Sequence, residues 1–177
     1  RKTIACLLAF LIVNGPVWAI DYTTDVIDST NANFSASGNT TTVDVVANRS
    51  VIDWSNFNTA DGEILQFVRD GGANFAVLNR ILSGEYTQFD GKLFGNQGHI
   101  IVINTNGIVF GPTAIVNAHK FTASGLDLSK ADFMEGHYRF SGGSGAIENK
   151  GHIEAQEIAL FGSKILNSGT LASQQGL

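Results

Sequence analysis

Hydrophobic residues between His99 and Leu128 occur in runs of only three or four, with turn-forming residues between them. Each run is too short for a helix and is rich in β-branched or aromatic residues, so each one predicts a β-strand. The runs are Ile100–Ile103, Ile108–Phe110, Ala114–Val116 and Phe121–Ala123. The residues between the runs favour tight corners. These breaks are Asn104–Gly107, Gly111–Pro112 and Asn117–Ala118.

Strands this short, joined by such corners, are suited to the sides of a coil. Each side of one coil would pair with the equivalent side of the next coil. A single coil cannot bury a core by itself, so the coils must stack into a solenoid. The pattern therefore predicts an all-β fold, a single-stranded parallel β-helix.

A repeat in the C-terminal part of the chain supports this fold. Ile147–Ile153 and Ile165–Leu171 have Ile, Asn, Gly and a final apolar residue at the same positions, with an offset of 18 residues. Such a period is about one coil of three short strands and three corners. We expect Asn149 and Asn167 to stack and to form a ladder of side-chain hydrogen bonds.

The two ends of the chain differ in character. Residues 20–60 are rich in Thr and Asn, and the exposed end of a solenoid needs a cover, so we expect an N-terminal β cap there. Coils would follow over residues 61–177. Residues 129–145 break the coil period, which predicts a loop or a small hairpin outside the helix of coils. The coil rhythm is still running at Leu177, so we expect a truncated piece of a longer protein.

The first 19 residues have the pattern of a secretory signal peptide. Two basic residues precede an apolar run, Ile4–Val13, and Val17-Trp18-Ala19 is an acceptable cleavage site, so we expect cleavage after Ala19. The run is too short to span a bilayer, which takes about 20 residues. The alternative is a buried helix or strand of the domain. Cys6, the only cysteine, lies in this segment, so the mature chain would have no thiol.

Composition argues against several kinds of function. Charged residues make up 15% of the chain and the net charge is −5, so no basic patch favours nucleic acid or an anionic membrane. The sequence has no phosphate-binding loop, nucleophile elbow or glycine-rich calcium repeat. The histidines lack the spacing of metal ligands, and we expect neither a metal nor a cofactor. They are His99, His119, His137 and His152.

Several motifs follow one another in an order and spacing that are typical of a known family. They are Val51–Asn58, Ala76–Ile81, Gly91–Leu93, Asn96–Gly98, Ile103–Gly111 and Phe121–Leu128. Together they resemble the N-terminal domain of filamentous haemagglutinin-type adhesins, and most nearly the high-molecular-weight adhesins of Gram-negative bacteria. The resemblance covers residues 40–177 and implies a two-partner secretion domain.

The resemblance implies a secretion signal and folding nucleus without catalysis. Such a domain reaches the periplasm, where the POTRA domains of a cognate outer-membrane transporter recognise it. It then passes through the transporter barrel and folds outside as a right-handed β-helix, secreted or at the cell surface. Host-cell glycans or receptors would be partners of the full-length protein.

The same resemblance places a candidate recognition element at one corner. Its residues are Asn104, Thr105, Asn106, Gly107 and Ile108. The family motif has Pro where this chain has Thr105. The alternative is a corner that only turns the chain, because corners need these residue types in any case. Asn79 and Arg80, which interrupt the apolar stretch Asn74–Leu82, are either an exposed recognition pair or a corner with Arg over an aromatic ring.

Two other functions remain open at this stage. A β-helix enzyme acting on polysaccharide would need convergent carboxylates. The candidates, which show no coil-to-coil register in the sequence, are Asp53, Asp61, Asp70 and Asp90. The domain could also be the head of a contact-dependent toxin carrier, with an effector beyond Leu177.

Overall fold

The structure, a computed structural model, describes residues 20–72 and 74–174, and within these ranges the chain forms fourteen β-strands and two short α-helices. The predicted signal peptide lies outside the described ranges. The strands are β1 (Val26–Thr30), β2 (Ala32–Ser37), β3 (Thr40–Val45), β4 (Arg49–Trp54), β5 (Ile64–Val68), β6 (Phe75–Ile81), β7 (Thr87–Phe89), β8 (Lys92–Ile103), β9 (Ile108–Phe110), β10 (Ile115–Ser124), β11 (Ile147–Asn149), β12 (His152–Phe161), β13 (Ile165–Asn167) and β14 (Thr170–Ser173). The helices are α1 (Tyr22–Asp25) and α2 (Lys130–Glu135). Neither is long and apolar enough to cross a membrane.

The strands wind into a parallel β-helix with three faces, which confirms the predicted fold. The first face contains β3, β5, the first halves of β8, β10 and β12, and β14. The second contains β4, β6 and the second halves of the same long strands. The third is a separate sheet of β7, β9, β11 and β13. The right-handed winding direction of the β-helix stays a prediction.

The register confirms the repeat but corrects one corner. Ile147 pairs with both Ile108 and Ile165, so equivalent positions lie directly over one another. The break predicted at Asn117–Ala118 is wrong, because β10 continues through it. The chain turns there by a register irregularity between Ala118 and Lys120, which bends the strand from the first face to the second without ending its hydrogen bonds.

Aromatic rings form a continuous column inside the first coils. Trp54, Phe57, Phe89, Phe110 and Phe121 are buried, and successive ring centres lie 5.3 to 6.0 Å apart. Rings at these distances stabilise each other beyond the area they bury. Inward-facing aliphatic side chains fill the rest of the core.

Antiparallel strands close the N-terminal end. β1 pairs antiparallel with β4, and β2 pairs antiparallel with β3. On their other edges, β3 and β4 pair in parallel with β5 and β6. Parallel coils therefore begin at Thr40, whereas the sequence placed their start after residue 60. The reason is that β3 and β4 serve the cap with one edge and the coils with the other.

Residues 125–146, here called the helical excursion, leave the coils between β10 and β11. The sequence predicts a loop or a small hairpin outside the coils here, and the region does lie outside them, with the short helix α2 as its main ordered element. The Ser129 side chain accepts from the Asp132 N–H at the start of the helix, and Gly136 ends it with φ of 86°. An antiparallel bridge between Asp127 and Ser141 closes the base of the excursion.

The helical excursion covers the outer side of the second face. Leu128 and Phe133 are fully buried there, with Phe140 packed beside them. The strand residues beneath them point outward from the coils and are Val51, Ala76, Leu78, Ile101 and Ile103. Polar contacts add to this cover, since Lys130 Nζ lies 2.8 Å from a carboxylate oxygen of both Asp28 and Asp53.

Replacing Phe133 by Ala should therefore loosen the helical excursion. Phe133 is 0% exposed, and truncating a buried Phe costs about 3–5 kcal/mol of unfolding free energy. Urea unfolding of the wild type and variant measures the difference. Met134→Ala is the control, because Met134 is on the same helix but 39% exposed. Similar losses for the two variants would show that the excursion does not pack as described.

Candidate functional site

Asn104 anchors the candidate corner to the previous coil. The residue is fully buried, and its Nδ2 donates to Glu85 O at 2.9 Å and to Thr87 Oγ1 at 3.0 Å. Its Oδ1 accepts from the N–H of Asn106 at 2.9 Å, which holds the corner in a tight turn. Every hydrogen-bonding position of this amide except the second acceptor site of Oδ1 is thus used within the fold.

The other corner residues divide into buried and accessible ones. Gly107 and Ile108 are buried, Thr105 is partly exposed and Asn106 is exposed. Gly107 has φ of 112°, and a Cβ there would lie 2.9 Å from Ala146 O, so only glycine fits. Asn106 Nδ2 donates to Ser83 O at 2.9 Å. In the folded domain, a partner can therefore reach only Thr105 and Asn106.

Two glycines at the end of the helical excursion, just before β11 begins the next coil, lie directly on this corner. A Cβ on Gly145 would lie 2.5 Å from Gly107 N, and one on Gly143 would lie 3.0 Å from Thr105 Cγ2. Neither the contact of Gly143 and Gly145 with the corner nor the bond between Thr87 and Asn104 was predicted from the sequence. The signal was available in part, because Thr87 and Asn104 are 17 residues apart, about one coil.

Asn79 and Arg80 do not form a corner, because β6 runs through them, and they are not an exposed pair in the folded domain, because Asn79 is buried. They point to opposite sides of the second face. Asn79 is buried in the core, where its Oδ1 accepts from Trp54 Nε1 and its Nδ2 donates to Ile101 O, both at 3.1 Å. Arg80 points outward, 3.6 Å from Asp53 and 3.5 Å from Asp127.

The arginine that covers aromatic rings is Arg49 instead of Arg80. Its guanidinium carbon lies 5.1 Å from the ring centre of Phe133 and 5.5 Å from that of Tyr138. Both distances are within the range of a cation–π contact. Arg49 therefore ties β4 to the helical excursion.

Asn149 and Asn167 lie in register on the third face. Asn149 Nδ2 donates to Asn167 Oδ1 at 2.8 Å, and Asn149 Oδ1 accepts from Gly151 N at 3.2 Å. The same column holds Phe89 and Phe110 in the preceding coils. The column thus changes from stacked rings to stacked amides towards the C-terminal coils.

Two of the surface grooves formed by the described residues lie beside the corner and beside the helical excursion. The corner groove has a volume of about 430 Å³ and runs along the third face beside Tyr86, Asn106 and Leu166. The second, here called the aromatic groove, has a volume of about 410 Å³ and lies between the helical excursion and β10 and β12. Among the described residues, no group of three or more His, Cys, Asp or Glu is placed to hold a metal ion.

His99 lines the aromatic groove and is largely buried. Its Nε2 is 2.9 Å from Thr122 Oγ1, and its ring centre is 5.5 Å from that of Tyr138. Burial, with a smaller contribution from the positive charge of Lys120, lowers the pKa of His99 to about 4. The ring is therefore neutral at physiological pH. The other charged or titratable groups that act on it are Glu157, Arg49 and His119.

Comparison with known proteins gives a consistent result. A model of the TPS secretion domain matches residues 21–177. The heme/hemopexin-binding protein of Haemophilus influenzae strain Rd is 29% identical over 151 residues, which are 79% of this chain and 16% of that protein. A second Haemophilus influenzae protein with the same name is 25% identical over 95 residues, or 54% of this chain and 10% of that protein.

A solved structure also matches. The crystal structure of the HMW1 secretion domain from Haemophilus influenzae aligns with a TM-score of 0.72 and 33% identity, and the match covers 82% of this chain and 40% of that chain. The chain thus spans less than a fifth of the curated relatives that it matches. The matching family model and the matching solved structure are of secretion domains and not of a known enzyme family, so they do not favour a polysaccharide-degrading enzyme.

Asn104→Ala and Asn106→Ala should differ in their effect on stability. Asn104→Ala leaves buried partners unpaired and should lower the unfolding free energy by roughly 2–3 kcal/mol. Asn106→Ala removes one exposed hydrogen bond and should cost about 1 kcal/mol or less. Denaturant unfolding of both purified variants measures the two losses. Equal losses would contradict the buried position of Asn104.

The stability of the domain should also depend on the protonation of His99. The pKa of His99 is lower in the folded state than in the unfolded one. The contribution of His99 to folding stability is therefore fully present above about pH 6.5 and is lost as the pH falls towards about 4. The loss should reach roughly 3 kcal/mol, since each pH unit in this window contributes about 1.4 kcal/mol.

Unfolding measured across this pH range tests the effect. His99→Gln should remove this part of the pH dependence, whereas His152→Gln, at an exposed position, should retain it. A His99→Gln variant with an unchanged pH profile would contradict the assignment.

Proposed function

The chain belongs to the family of TPS secretion domains, and from this membership we propose that the corner Asn104–Ile108 is the signal that its cognate outer-membrane transporter binds before the domain folds. The domain would leave the cell through the periplasm, where the POTRA domains of the transporter would hold the corner in an extended form. It would then pass through the barrel and fold outside.

The burial of the corner carries this proposal. Asn104, Gly107 and Ile108 are buried, and the Asn104 amide is bonded to the previous coil. A partner that reads the whole motif must therefore meet the chain while it is unfolded. A partner of the folded domain would have only Thr105 and Asn106 to contact.

The same burial supports a mechanism of release. The amide groups that would bind the transporter are the groups that Glu85, Thr87 and Ser83 engage on folding. Folding outside would therefore compete with rebinding inside. Folding stabilises a domain by roughly 0.05–0.15 kcal/mol per residue, which can bias movement outward without ATP.

The presence of Thr105 in place of Pro limits which features of the corner the transporter would recognise. Thr105 lacks the fixed φ that Pro would impose at this position. Recognition would then depend on the two amides on either side of it, and less on a rigid turn. In the folded domain the Asn104 side chain holds the turn, because its Oδ1 accepts from the backbone N–H of Asn106.

For the whole protein we propose a large exported adhesin. The domain would be its secretion signal, and its first coils would be the template on which later coils stack. The names of the curated relatives describe proteins of which this chain covers 16% or less. Binding of host receptors or of hemopexin would be an activity of such a whole protein.

Secretion of an Asn104→Ala, Asn106→Ala double variant tests the proposed signal. With the cognate transporter present, the amount of the double variant in the medium should fall roughly tenfold or more, because the transporter would lose both amide contacts. A tenfold weaker interaction corresponds to about 1.4 kcal/mol of lost binding free energy. The double variant should accumulate in the periplasm or be degraded there. Immunoblots of medium and periplasm measure both fractions.

A control variant that keeps the corner sequence but disturbs its packing separates recognition from folding. Thr87→Val removes the buried partner of Asn104 but leaves the corner sequence intact. Secretion of Thr87→Val should stay near the wild-type level. If Thr87→Val is secreted as poorly as the double variant, instability explains the loss. If the double variant reaches the medium at wild-type levels, the corner is not the signal.

A further inference from the structure

We propose that the aromatic groove binds a neutral saccharide, with one sugar ring lying between aromatic side chains and a charged pair. The groove lies on the second face and is separate from the candidate secretion signal. Its volume of about 410 Å³ is within the usual range of ligand pockets, about 300–1,000 Å³.

The floor of the groove follows from the register of β10 and β12. Lys120 is opposite Glu157 at one end, Thr122 is opposite Ala159 in the middle, and Ser124 is opposite Phe161 at the other end. The two middle side chains are small and leave a depression between the polar and aromatic ends. Four residues of strand separate these ends, a length of about 13 Å.

Aromatic side chains supply the apolar part of the groove. Tyr138 and Phe161 are 42% and 38% exposed, although most other aromatic rings of the domain are in the core. Phe140 packs against Phe161 with ring centres 4.8 Å apart, which holds the Phe161 ring in place. An exposed and supported ring offers a flat surface on which the C–H face of a sugar ring can pack.

Polar groups at the other end provide both donors and acceptors. Lys120 Nζ is 2.7 Å from Glu157 Oε1, and the pair leaves two ammonium protons and the second carboxylate oxygen for a ligand. Tyr138 accepts a hydrogen bond from Arg49 at 3.1 Å, so its own hydroxyl proton is available to donate. Neighbouring hydroxyls of a sugar ring match such a mixed set.

The charge of the groove favours a neutral ligand. Lys120 and Glu157 balance each other, and His99 is neutral at physiological pH because burial lowers its pKa. No unpaired cation in the groove would attract a phosphate or a carboxylate. A neutral polyhydroxylated ring uses the aromatic and the hydrogen-bonding surfaces without leaving a charge unpaired.

Ligand titration of the full chain tests the proposal. Saturation-transfer NMR would use glucose, galactose and N-acetylglucosamine as probes, with anionic glucuronate and zwitterionic phenylalanine as comparators. We expect at least one neutral sugar to bind with Kd of about 1–10 mM. Binding of the neutral sugars should exceed that of both comparators.

Variants assign the binding to this groove. Phe161→Ala and Glu157→Gln should each weaken the sugar roughly tenfold, a loss of about 1.4 kcal/mol. Tyr86→Ala is the matched control, because Tyr86 is an exposed aromatic residue, 53% exposed, in the corner groove. It should leave sugar affinity unchanged. Thermal unfolding would verify that all three variants are folded.

Three results would overturn the proposal. The first is that none of the neutral sugars binds at a sugar concentration of about 50 mM, which is well above the expected Kd. The second is sugar binding that Phe161→Ala and Glu157→Gln leave unchanged, or that Tyr86→Ala weakens equally. The third is tighter binding of glucuronate or phenylalanine than of every neutral sugar.

Discussion

The in-register pairing of each coil with the next is the constraint on which the structure depends. Once Ile108 pairs with Ile147, and Ile147 with Ile165, equivalent side chains must lie over one another along the whole solenoid. Apolar positions then form inward columns, and aromatic rings or asparagine amides stack within a column. The corners are under the same constraint, which explains why Gly145 lies where the backbone of Gly107 leaves no room for a Cβ.

This constraint explains which parts of the fold could be predicted from the sequence. Strand length, corner residues and the 18-residue repeat are local signals, and they indicated the stacked coils. The bend within β10 had a local signal at Asn117–Ala118, but nothing local showed that the strand continues through the bend. Asn79 resembled a break because it is polar, but its hydrogen-bond partners, Trp54 and Ile101, are more than 20 residues away.

The sequence indicated which residues form the candidate corner, but it did not indicate which of them are buried. The corner at Asn104 was evident from its Asn and Gly residues, whereas its burial depends on Thr87 one coil earlier and Gly145 one coil later. The helix of the excursion had signals of its own, a Ser at its start and a Gly at its end, but α2 has only six residues and no amphipathic repeat. Under the proposed function, the buried corner would be the secretion signal, so recognition and folding would depend on the same side chains.

The contact between Lys130 and Asp28 joins residues that are 102 positions apart, whereas neighbouring coils join residues only about 20 apart. Closing a longer loop costs more chain entropy, so coil stacking can proceed before this contact forms. A polypeptide that emerges with its N-terminus first would build several coils while the apolar residues on the outer side of their second face are still exposed. Folding would therefore have a two-stage order, in which the coils would wind first and the helical excursion would pack over the second face last.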